Sequence, residues 1–361
     1  MKYAYWLSNI PGIGSGKLRY LTENGYTAYE IYGMSHEKLI EIEGISKKDA
    51  DNIAETRRNW EIEAEWMKLM EQGVGFVSVE DENFPKRLRG IPGAPYSLYY
   101  IGRLPEEEER SIALVGARGR SAYGSEVTRK LAKELSNYGV QIISGMAKGI
   151  DTDAHSGALE GGTPTYAVLG CGVDVCYPTS NRYLYHSILE RGGIISEYPL
   201  KTQPNKTLFP ARNRIISGLS DCVVVMEARE KSGSLITADF AMEQGRDVYA
   251  LPGRITDPLS EGCNHLIHQG AGIVQSVEDF LRELDILPSA TEIQLDFRKN
   301  LLEKDESLVY SVTDFRPIGL GHILEKTEIS FERLLEIMNR LESLGLIKET
   351  FPNYYIRTIL R

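Results

Sequence analysis

Ile112-Ala113-Leu114-Val115-Gly116-Ala117-Arg118-Gly119-Arg120-Ser121 decides the fold. Four apolar residues run into a glycine-rich turn, and Gly124 then opens a helical pattern over residues 125–138. A short apolar strand that feeds directly into a helix is half of a parallel β–α–β unit. The pattern recurs. Strand-like runs stand at residues 140–143, 166–169, 194–195, 223–226 and 248–251, with helical patterns such as 154–160, 182–191 and 235–244 between them. Six apolar strands separated by helices predict an α/β fold, a doubly wound, mostly parallel sheet with right-handed crossovers. Residues 76–79 and 96–100 add strand material ahead of the first of these.

Working outward, residues 76–285 read as an extended Rossmann-like domain and residues 1–75 as a helical one. Ile10-Pro11-Gly12-Ile13-Gly14 and Ile42-Glu43-Gly44-Ile45-Ser46 each precede an apolar-periodic helix, as in paired helix-hairpin-helix (SAM-like) units. Such a turn leaves backbone N–H groups able to hold a phosphate. Glycine equally lets helices turn tightly. Only Lys17 and Arg19 stand near the first turn, so the two readings balance. Residues 286–306, with Pro288 and Ser289 and little periodicity, read as a linker. Residues 307–361 suggest three short helices (307–312, 318–324 and 330–344) and a β-ribbon around Phe351-Pro352-Asn353-Tyr354-Tyr355, a small winged-helix domain. On its longest helix Glu332, Arg333, Glu336, Arg340 and Glu342 cancel, which points to protein contact rather than major-groove reading.

The 361-residue chain is acidic, with 41 Lys+Arg against 51 Asp+Glu, and this excludes a protein that coats duplex DNA over its whole surface. Residues 201–214 reverse the sign: Lys201, Lys206, Arg212 and Arg214 stand there with no Asp or Glu. Phe209 lies between Lys206 and Arg212. Read as an extended segment, this stretch has the parts a single-stranded nucleic acid needs: cations for the backbone and a ring for a base. No apolar run is long enough to span a membrane, and the N-terminus has no signal-peptide pattern. The four cysteines form no CxxC pair, so a reduced, cytoplasmic setting is expected.

In open α/β sheets, ligands sit beyond the carboxyl ends of the strands. Here those ends carry residues 116–121, Ser144-Gly145-Met146-Ala147-Lys148-Gly149, Gly170-Cys171-Gly172, Ser232-Gly233-Ser234 and Pro252-Gly253. Several glycine-rich ends suit a phosphate-bearing ligand. A dinucleotide fingerprint would need glycine where Arg118 and Ser121 stand, and no acidic residue ends the second strand to hold a ribose. The P-loop pattern is also absent. Asp151, Asp153 and His155 do not share one helix face, and Asp151 reads as an N-cap. Ser232 and Ser234 have no histidine near them in sequence. No catalytic residue, metal site or cofactor is expected.

Five motifs in order carry a resemblance: Gly116-Ala117-Arg118-x-x-Ser121-x-x-Gly124, the run from Ser144 to His155, Phe209-Pro210-x-Arg212-Asn213-Arg214-Ile215-Ile216, Ser232-Gly233-Ser234-Leu235-Ile236-Thr237-Ala238 and Gly262-Cys263-Asn264-x-Leu266-Ile267. Over roughly residues 76–280 the chain resembles the DNA-processing protein A (DprA/Smf) family, with Ala117 where Ser is common and with Arg120 and Lys148 as added charge. The resemblance implies a non-enzymatic homodimer that protects incoming single-stranded DNA in natural transformation and loads the RecA recombinase onto it, with SSB as a further partner. It implies phosphate contacts from Arg118, Lys206, Arg212 and Arg214 and base stacking on Phe209. Gly116, Ala117, Ser121, Gly145, Lys148, Asn213, Ser232, Gly233 and Ser234 complete the expected site. The alternative is a nucleotide-binding or nucleotide-hydrolysing Rossmann-like enzyme that uses Glu227 beside Ser232-Gly233-Ser234.

Overall fold

Among the described residues, the larger sheet has seven parallel strands, and two antiparallel strands extend one side of it. The computed structural model describes residues 1–287, 302–314 and 317–357. Residues 288–301, most of the expected linker 286–306, lie outside the described residues. The strands are β1 Gly75–Ser78, β2 Ser97–Gly102, β3 Ser111–Gly116, β4 Gln141–Ser144, β5 Thr165–Val168, β6 Gly193–Ser196, β7 Cys222–Glu227, β8 Asp247–Ala250 and β9 Gly272–Ile273. Their order is β1-β2-β6-β5-β4-β3-β7-β8-β9. Pairs from β6 through β9 are parallel, while β1–β2 and β2–β6 are antiparallel. The α/β doubly wound reading holds, and residues 76–79 and 96–100 contribute the antiparallel side.

The chain winds from β3 through β4 and β5 to β6, then crosses back to place β7 on the other flank of β3. The crevice where winding reverses therefore lies between the carboxyl ends of β3 and β7. Both faces of the sheet are buried, as a parallel sheet requires. Along β5, Tyr166 and Val168 join one apolar cluster while Ala167 joins the other.

Residues 1–277 form one compact unit and residues 278–361 another. In the first, helices Lys2–Ser8, Ser15–Glu23, His36–Glu41 and Lys47–Asn59 share an apolar cluster with Phe76, Tyr99 and Ile194 of the sheet. Tyr5 contacts Trp60, Trp66, Phe76 and Tyr99 edge to face, at centroid distances of 5.5–6.1 Å. The two cations of the first hairpin are paired: Lys17 Nζ lies 2.6 Å from Asp49 Oδ2, and Arg19 bonds Glu23. That pairing favours the structural account of these turns over a phosphate site. In the second unit, helices Lys304–Val312, Leu320–Thr327 and Phe331–Ser343 pack with a three-stranded antiparallel sheet ordered β10-β12-β11 (β10 Ile318–Gly319, β11 Ile347–Phe351, β12 Tyr354–Arg357). Residues 318–319, expected to begin a helix, pair instead with Tyr355 and Tyr354.

Two further expectations are corrected. The cationic segment is not extended: Leu208–Gly218 is an α-helix. Pro210 sits in its first turn, where no intrahelical N–H partner is lost, and Ile215 and Ile216 bury one face. Asp151 is not an N-cap either. Gly149 caps helix Ile150–Gly161, and the buried Asp151 carboxylate reaches back to accept from the N–H groups of Gly145 and Ala147, each at 3.2 Å.

His155, on the same helix, is wholly buried, and its Nδ1 lies 2.7 Å from Thr165 Oγ1. The Thr165 hydroxyl donates to Ile142 O, so it accepts from the imidazole N–H. Burial, aided by the field of Arg212, pushes the imidazole down to about 3. Between that value and the ordinary 6.5 the unfolded chain binds a proton that the folded chain refuses, so stability rises with pH across the window. Acidification from pH 6.5 is expected to remove about 1.4 kcal/mol per pH unit through this side chain. Urea unfolding of His155→Gln between pH 4 and 7 would show a shallower pH slope than the parent protein; equal slopes would contradict the assignment.

Candidate nucleic-acid interface

The turn after β3 is fixed by a carboxylate at the end of β7. Glu227 is buried, and its two oxygens accept from the backbone N–H and the hydroxyl of Ser121. Ser121 Oγ in turn accepts from Gly124 N at 3.0 Å and so caps helix Ala122–Asn137. A Cβ on Gly124 would fall 2.2 Å from Glu227 Cδ, so only glycine fits there. Ala117 N donates to Glu227 O at 2.8 Å, which stitches β3 to β7 beside the switch point. Glu227 is thereby committed to architecture, as is Ser232, which caps helix Gly233–Glu243 and lies 2.8 Å from Ser234 Oγ.

Arg212 joins the other side. Its guanidinium is buried and donates to Gly145 O at 2.8 Å, to Val168 O, and through Nε to Asn213 Oδ1 at 3.1 Å. A Cβ on Gly145 would lie within 2.7 Å of that guanidinium, so here the glycine serves an internal contact. Asn213 Nδ2, midway along helix Leu208–Gly218, reaches Gly233 O at 3.2 Å and ties that helix to the start of helix Gly233–Glu243. Burial pushes the Asp151 carboxyl up, opposed first by Arg212 and then by the N–H groups of Ala147 and Gly145.

Above this floor lies a cleft of about 510 Å³, within the range of ligand sites. Of the expected residues, Gly116, Ala117, Arg118, Lys206, Phe209, Arg212, Asn213, Ser232, Gly233 and Ser234 line it. Its lining carries five cations, adding Arg229 and Lys231, against the single carboxylate of Asp151, so the cleft is a cationic site within an acidic protein. Arg118, Lys206, Arg229 and Lys231 are exposed. Gly119 and Gly233 face open space, leaving backbone accessible to a ligand. The Arg118 guanidinium carbon lies 5.5 Å from the centroid of the Phe209 ring.

A smaller adjoining cavity, about 70 Å³, takes in Gly145 and Lys148 beside Tyr177 and Cys171. Burial pushes the Cys171 thiol up to about 11, so it stays protonated and is a poor nucleophile. Ser121 and Arg214 line neither cavity. Arg214 makes a bidentate pair with Glu197, at 2.9 and 2.5 Å, and its Nε donates to Gly93 O at 2.6 Å. Arg120 pairs with Asp153. Sequence reasoning missed Arg229, Lys231 and Tyr177. The first two flank Glu230 and read as ordinary surface charge, and Tyr177 is remote in sequence from the ring it meets.

Comparison with known proteins places these residues in context. The family model described as DNA recombination-mediator protein A matches residues 75–285. Protein Smf of Synechocystis is 38% identical over 313 residues, covering 85% of this chain and 78% of that protein. The X-ray structure of DNA processing protein A from Streptococcus pneumoniae superposes with a TM-score of 0.68 at 38% identity, over 78% of this chain and 98% of that one. A structure of DNA processing protein A from Helicobacter pylori, described for its single-stranded DNA binding mode, superposes with a TM-score of 0.53 at 32% identity, over 58% of this chain and 95% of that one.

The Arg214–Glu197 pair is nearly closed to solvent, so removing one member strands the other charge. Arg214→Ala is expected to lower unfolding free energy by about 3–5 kcal/mol in denaturant titration. An Arg214→Ala protein as stable as the parent would return this side chain to the list of ligand contacts.

Proposed function

Because the chain belongs to the DNA recombination-mediator protein A family, we propose that it binds single-stranded DNA in the cleft between the carboxyl ends of β3 and β7. The observation that carries the reading is the lining itself: four exposed cations in one cleft with the Phe209 ring, in a protein of net charge −10. Arg118, Lys206, Arg229 and Lys231 hold backbone phosphates, while Arg212 supplies field from beneath. Gly233, exposed at the N-terminus of helix Gly233–Glu243, leaves its backbone open to the same anion. A mononucleotide would need fewer cations than this. The protein is a binder rather than a nucleotide-hydrolysing enzyme, a reading supported by the engagement of both Glu227 oxygens with Ser121.

Fluorescence anisotropy against salt tests the assignment. Four phosphate contacts predict a slope of log K against log salt of about −3, since each contributes ~0.7 on a single strand. Arg118→Ala and Lys206→Ala should each make the slope shallower by about 0.7. Equal affinity for duplex and single strand at moderate salt would overturn the proposal.

In this reading the protein works in the cytoplasm in recombination, protects incoming strands in transformation, and passes them to a RecA-type recombinase in the presence of SSB. The RecA and SSB steps rest on family membership. A homodimer suits that task, because two linked clefts raise the effective concentration for the second contact on one strand. Light scattering should give twice the chain mass. A strict monomer that still accelerated recombinase filament assembly on SSB-coated DNA would sink the dimeric part.

A further inference from the structure

Phe209, expected to be the base-stacking ring, is half-buried and already has an aromatic partner. The ring of Tyr177, in the loop after β5, lies parallel to it at 17° with centroids 5.5 Å apart. That is an offset stack. The Arg118 guanidinium approaches the same Phe209 ring at 5.5 Å. Tyr177 is the outer member, 40% exposed. The cavity that Tyr177 helps to line, about 70 Å³, holds on the order of two waters and is too small for a base. Lys148, exposed, lines that same small cavity and not the main cleft.

We propose that Tyr177 and Lys148 form a second subsite, continuous with the cleft, in which an unpaired nucleobase stacks on the outer face of Tyr177 and Lys148 holds an adjoining phosphate. The inference rests on the reading of the cleft as a single-strand site and extends it. Arg118 and Phe209 stand where the two subsites meet, since both line both cavities. Phe209 then acts as the support that keeps Tyr177 parallel, and Tyr177 is the surface an incoming strand meets. Every base has a π face, so this subsite selects unpaired strands without selecting sequence.

The test uses the full-length protein with labelled oligothymidylate of about 15 nucleotides, within the span of one binding site, and an abasic strand of equal length. Tyr177→Ala should weaken oligothymidylate binding about 5- to 150-fold with an unchanged salt slope, as loss of one stacked base predicts. Tyr177→Phe should bind as the parent does. On the abasic strand, parent and Tyr177→Ala should bind alike, because no base remains to stack. Lys148→Ala should instead make the salt slope shallower by about 0.7. Parent-like oligothymidylate binding by Tyr177→Ala, or an equal loss on the abasic strand, would overturn the subsite while leaving the cleft intact. Absence of oligothymidylate binding by the parent protein would overturn both.

Discussion

A buried arginine holds the ligand-facing side of this molecule together. Arg212 carries its charge to the carboxyl ends of β4 and β5, where Gly145 O and Val168 O accept from it, and it draws helix Leu208–Gly218 across the sheet. That helix brings Lys206, just ahead of it, and Phe209 over the strand ends. A lysine at this position would lack the planar fork that serves two carbonyls and Asn213 at once. The cost of removing a full charge from water is met by these carbonyls and by the nearby Asp151, which is itself held by two backbone N–H groups. The floor of the cleft is thus a compensated polar layer rather than an apolar one, and its geometry leaves little freedom to the loops above it.

Most of the fold was legible because strand and helix impose different periods on apolar residues. The parallel strands between residues 112 and 251 were found within a residue or two of their true limits, while the helices that separate them were found with starts up to four residues late, as at 154 against Ile150. Helix Leu208–Gly218 escaped because Pro210 and four cations make its opening look like a loop; its apolar face comes late, at Ile215 and Ile216. The lining of the cleft was legible where chemistry is contiguous in sequence, as in residues 116–118 and 232–234. The site was opaque where the decisive partner is remote. Nothing local to Arg214 reveals Glu197, nothing near Ser121 reveals Glu227, and nothing near Phe209 reveals Tyr177. Side-chain type announces what a residue can do, while pairing across strands decides what it does.

The charge distribution reconciles an acidic protein with the anionic ligand proposed for its cleft. The cationic cleft is felt by mobile ions over a Debye length of about 8 Å, so its attraction is local to its mouth. Acidic surface elsewhere repels the same polyanion and favours entry at the cleft over general adhesion. Several cations that would blur this focus are neutralised in place: Lys17 by Asp49, Arg120 by Asp153 and Arg129 by Glu160.

The sheet's two borders bear on how copies of this chain can meet. β1 offers four residues and β9 only two. A border that short presents too few open backbone groups to recruit a strand from a neighbour, which protects a large, mostly parallel sheet from growing across molecules. In the proposed dimer, side chains on helices and loops rather than these two borders would then supply the contact. An interface of that kind is tunable by single surface substitutions, and it can be weakened without loosening the sheet that frames the cleft.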